Sequence, residues 1–84
     1  MNPNIPSQQI KIRKAILIFL KAVAPPLVLY VDNTDEAYAE IIRIIENANV
    51  SMPRMIEKIG KGPLKKIAVL DVQIAGVAIQ EEPA

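Results

Sequence analysis

A chain of 84 residues has room for one hydrophobic core and no second domain, and at 51% hydrophobic against 23% charged residues it is too apolar to remain disordered. It holds neither Cys nor His; this excludes disulfides, thiolate metal sites and the commonest general base, leaving carboxylates, lysines, tyrosines and hydroxyls for any chemistry. The net charge of +1 is unevenly spread: residues 1 to 31 carry four cations and no acid (+4), residues 32 to 49 one cation and five acids (−4), and the remainder five cations and four acids (+1).

Met1 to Gln9, with Pro3 and Pro6 among polar residues, reads as a flexible leader before a single domain over residues 10–80. From there Ile10, Ile12, Ile16, Ile18 and Leu20 keep apolar residues on even positions, the period of a strand with one buried face. Leu17 and Phe19 make the odd positions apolar too, so residues 15–22 are either a strand covered on both faces or a helix. Ala24-Pro25-Pro26 is expected to break the element, and Leu27 to Val31 to follow as a short buried strand.

The run from Ala15 to Val31 is not a membrane span, because Lys21 and the two prolines cut it into pieces far shorter than about 20 residues. No targeting segment is read there, and a reducing, cytoplasmic location is expected.

Asp32-Asn33-Thr34 offers N-cap side chains, and Asn33 with Glu36 three residues on matches a capping box. Tyr38, Ile41, Ile42, Ile45 and Ala48 then recur at helical spacing, with Glu36, Glu40 and Arg43 facing away. An amphipathic helix over about 34–48 follows. Arg54 to Ile59 and Leu64 to Leu70 read as a hairpin closed by Gly60-Lys61-Gly62-Pro63, with Ile67 and Val69 on one face. The apolar phase slips between Val72, Ile74 and Val77, Ile79, so a bend or bulge is expected at Asp71 to Gly76, before a last strand over Ile74 to Gln80 and a frayed tail over residues 81–84. The fold expected is α+β: four to five mostly antiparallel strands in the order β-β-α-β-β-β, with the helix on one face.

The stretches Lys65-Lys66-Ile67-Ala68-Val69-Leu70 and Ile74-Ala75-Gly76-Val77-Ala78-Ile79, placed after a capped acidic helix and a Gly turn, resemble a family of small proteins found chiefly in cyanobacteria and plastids. The resemblance runs over about residues 25–80. It implies the architecture and transfers no functional residue.

Three constellations invite chemistry. Asp32, Asp35 and Glu36 can gather a hard cation, but acids at a helix start also compensate the dipole. Gly60-Lys61-Gly62 with Lys58, Lys65 and Lys66 can meet a phosphate, yet the turn does not lead into a helix as phosphate loops do. Tyr30 and Tyr38 lack a partner base in the sequence, as do Ser7, Thr34 and Ser51. No enzyme, cofactor or metal site is expected. Two readings remain. The first is a protein-interaction or structural module, either a homo-oligomer (a dimer) or bound to a partner protein, with Ile10, Ile12, Ile16, Ile18 and Leu20 pairing edge to edge across a two-fold axis. The second is a nucleic-acid-binding protein using Lys11, Arg13, Lys14, Lys58, Lys61, Lys65 and Lys66. Near-neutral charge and only three aromatic residues, Phe19, Tyr30 and Tyr38, weigh against the second.

Overall fold

A computed structural model describes residues 11–83. The elements are β1 (Ile12–Leu20), β2 (Val23–Tyr30), α1 (Thr34–Asn47), β3 (Met55–Ile59), β4 (Lys66–Leu70) and β5 (Ile74–Pro83), with a 3₁₀ turn at Asp71–Gln73 before β5. The fold is α+β in the expected order. Its five strands divide into an antiparallel sheet ordered β2-β1-β5 and the β3-β4 hairpin. The expected leader lies outside the described residues.

Residues 15–20 are strand, because β1 is the middle of the three-stranded sheet and needs apolar residues on both faces. Ile16 and Ile18 point inward at 0% exposure, beside Leu29, Ile41 and Ile74. Ala37, Ile44 and Ile45 of α1 and Ile67 and Val69 of β4 pack on the same cluster, so the helix and the hairpin both cover this face. Asn33 caps the helix as expected, its Oδ1 accepting the Glu36 N–H at 3.0 Å.

Three boundaries differ from expectation, each for a local reason. The β1-β2 connection is at Lys21-Ala22, with Ala22 left-handed at φ 58°, and not at the prolines. Pro25 and Pro26 lie inside β2, where pairing with β1 skips from Leu27 opposite Ile18 to Val23 opposite Leu20. An edge strand at an irregularity tolerates residues that lack an N–H. The third difference is at the C-terminus: Glu81 and Glu82 belong to β5 and are not a frayed tail, because they face Lys14 and Arg13 across the ladder. The phase slip falls where expected, with Gly76 opposite Phe19 but Ile74 opposite Leu20.

Candidate interaction surfaces

The edge interface expected on β1 is not available. β1 is hydrogen-bonded to β2 on one side and β5 on the other, so it presents no edge to a second copy. Ile16 and Ile18 are in the core, Leu20 is half-buried, and Ile12 alone of the described set is exposed; Ile10 lies outside the described residues. The even-numbered pattern was the signature of a core strand, and period alone does not distinguish a core face from an interface face.

Two apolar sheet faces are left open instead. The first is the back of the three-stranded sheet. Leu17 has Val28 and Ala78 as its ladder partners, so these three share the face turned away from the helix, with Phe19 next along β1. Leu17, Val28 and Ala78 are half-buried by their neighbours, and Phe19 is exposed.

The second is the outward face of the hairpin. Met55 pairs with Leu70, Glu57 with Ala68, and Ile59 with Lys66, and all six are exposed, whereas Ile56, Lys58, Ile67 and Val69 alternate inward. Met55 is 60% and Ile59 72% exposed, at the two ends of the outward face of β3. Leu70 and Met55 continue into a shallow groove of about 290 Å³ that Leu20, Val23 and Gln73 also line. The signal was legible in principle: Met55, Glu57, Ile59 and Lys66, Ala68, Leu70 alternate out of phase with the buried set, so both faces of a short hairpin carry apolar residues.

The candidate polyanion residues are partly brought together. Arg13, Lys14 and Lys61 line a cleft of about 450 Å³ with Tyr30, Asp32 and Gly62. Each of the three cations meets an acid: Arg13 with Glu82 at 2.7 Å, Lys14 with Glu81 at 3.7 Å, Lys61 with Asp32 at 2.5 Å. Lys58 turns inward to the helix and pairs with Glu40. Lys65 donates to the Lys61 carbonyl, Lys66 lies on the outward hairpin face, and Lys11 is exposed ahead of β1.

The Gly-Lys-Gly turn has a packing explanation. A Cβ on Gly62 would strike the Tyr30 ring, and one on Gly60 would sit 2.6 Å from the Leu64 carbonyl oxygen and 2.9 Å from Leu29. The glycines let the turn press on β2, and the Lys61 N–H donates to the Tyr30 carbonyl at 2.8 Å. Tyr30 is in turn held under Arg13, 5.0 Å from its ring centre, and its hydroxyl donates to Glu82 at 3.1 Å. That hydroxyl, the Gln80 amide and the Arg13 guanidinium together hold the Glu82 carboxyl below its ordinary value of 4.5.

The remaining constellations are accounted for locally. Asp32 pairs with Lys61, and Asp35 and Glu36 stand in the first turn of α1. Among the described residues no three acidic side chains converge as a metal site would require. One buried carboxylate, Asp71, closes the base of the hairpin: its Oδ1 accepts the Arg54 N–H at 2.9 Å while its own N–H donates to the Arg54 carbonyl at 2.8 Å. Among the described residues no helix is long and apolar enough to cross a membrane. No family model, no curated protein and no solved structure matches the chain.

Proposed function

We propose that this protein is a non-enzymatic, cytoplasmic interaction module that associates with itself. The observation that carries the reading is the outward hairpin face, where Met55, Ile59 and Leu70 stand exposed and Met55 and Leu70 border a groove. The back of the three-stranded sheet, with Leu17 and Phe19, adds a second surface of the same character.

Nucleic-acid binding is the alternative, supported by the convergence of Arg13, Lys14 and Lys61 on one cleft. Their acid partners argue against it, since a phosphate would have to displace Glu82, Glu81 or Asp32 from each cation. Solution mass across a concentration series, with and without a random oligonucleotide, separates the two. Association that rises with protein concentration and ignores the oligonucleotide is expected. A species that stays monomeric until the oligonucleotide is added, and reverts to monomer with salt, would replace this reading with the alternative.

A further inference from the structure

The outward hairpin face carries, besides its apolar residues, one acid and one base. Glu57 sits on β3 opposite Ala68, and Lys66 on β4 opposite Ile59, so the two charges lie on a diagonal of the same face. Neither makes an ion pair with another described residue, in contrast to Arg13, Lys14, Arg54, Lys58 and Lys61. A face that is apolar at three of its four corners, with Lys66 at the fourth and Glu57 at the centre, and whose two charges are unpaired among the described residues, is complementary to itself.

Resting on the self-association reading, we infer that a second copy docks hairpin to hairpin across a two-fold axis running along the strands, with Glu57 of each copy meeting Lys66 of the other. That axis lays β3 of one copy over β4 of the other. Met55 then covers the partner's Leu70, and Ile59 lies along the aliphatic stem of the partner's Lys66. Glu57 falls over the partner's Ala68, one diagonal step of roughly 7 Å along the ladder from the partner's Lys66, within reach of two long side chains. An axis across the strands instead sets Glu57 over Glu57 of the second copy, and like charges disfavour it. The symmetry makes the pair twice. Strands of five residues span only about 17 Å, so the face is small against the roughly 800 Å² per partner of a standard interface, and the dimer is expected to be weak and transient.

The test measures dimer dissociation by sedimentation equilibrium for the wild type, Glu57→Lys, Lys66→Glu and the double exchange, with thermal melting to confirm that each folds. Each single exchange places like charges together at two symmetric points and is expected to weaken the dimer about tenfold. The double exchange restores it to near wild type. Mixing the two single variants yields a heterodimer tighter than either homodimer, because both cross-pairs again join opposite charges. Single exchanges that leave dissociation unchanged overturn the register, as does a double exchange no better than either single. Leu17→Lys distinguishes that result from failure of the wider reading. If it alone abolishes the dimer, the back of the three-stranded sheet is the interface and self-association stands. If the wild type stays monomeric at millimolar concentration, self-association and the register both fall.

Discussion

Replacing Gly62 by alanine tests whether the Gly-Lys-Gly turn is shaped by packing. Neither Gly60 nor Gly62 has a positive φ, so no left-handed backbone demands glycine there. At such a position Gly→Ala ordinarily stabilises by about 0.4–1 kcal/mol, by restricting the unfolded chain. Here the new methyl would collide with Tyr30 Cδ2 and lie 3.0 Å from Cε2 and 3.2 Å from Cγ, against a comfortable separation of roughly 3.5–4.0 Å. The ring has little room to retreat, because Arg13 lies over it and its hydroxyl is bonded to Glu82. Overpacking of this kind costs about 1–3 kcal/mol, so the net effect is a loss, and each kcal/mol lowers Tm by roughly 4–8 °C in a domain of this size. Urea unfolding read by circular dichroism measures it. In a Tyr30→Ala background the same exchange has no ring to strike and turns neutral or stabilising. Gly60→Ala costs more, because its obstacles are a backbone oxygen and the fully buried Leu29. A Gly62→Ala variant as stable as wild type with Tyr30 in place would refute the packing account and return the turn to a functional explanation.

Ala22→Gly is expected to stabilise by about 1 kcal/mol, since alanine at φ 58° carries a left-handed penalty that glycine lacks; the urea midpoint reads it. Ile16→Ala should cost about 2–5 kcal/mol and Ile12→Ala within about 0.5 kcal/mol, although both are even-numbered residues of β1, because one is fully buried and the other 54% exposed. Glu82, whose carboxyl is lowered by Tyr30, Gln80 and Arg13, contributes stability that is fully present above its ordinary value of 4.5 and is lost as pH falls below that through the depressed folded value. Glu82→Gln should flatten the stability curve in that acid window and leave its neutral-pH arm parallel to wild type, as urea midpoints at stepped pH would show.

The helix was the most legible element, because its cap and its period act within a few residues: Asn33 bonds Glu36, and Ile41 and Ile45 recur on the buried side. Tyr38, placed on that side by the period, is instead exposed, at the margin of the stripe. The β1-β2 turn was illegible because its residues, Lys21 and Ala22, carry no turn chemistry, and the sheet holds Ala22 left-handed against its preference. The prolines three and four positions after Ala22 drew the boundary to themselves; only the strand order shows that they sit on an edge, where a missing N–H is tolerated. Strand order also decided the interface. The same alternation on β1 suits an edge strand or a central one, and nothing in residues 10–20 reveals that β5 arrives from sixty residues away to fill the second side.

The charges follow the same logic and narrow what the molecule can bind. Along the chain a basic arm precedes an acidic middle, a distribution that suits contact between copies as well as contact with a polyanion. Folding pairs part of it internally. The basic arm meets the acidic end of β5 through Arg13 with Glu82 and Lys14 with Glu81, while the acidic middle meets the hairpin through Asp32 with Lys61 and Glu40 with Lys58. Such pairs, mostly exposed, add little stability each, but they cancel the field that would draw a nucleic acid toward the cleft. Asp35, Glu36, Arg43 and Glu46 remain on the solvent side of α1, away from the open apolar faces. Glu57 and Lys66 remain on an apolar face. Charges held apart from partners and surrounded by exposed Met55, Ile59 and Leu70 favour a surface that also carries one of each, and the nearest such surface is the same face of another copy.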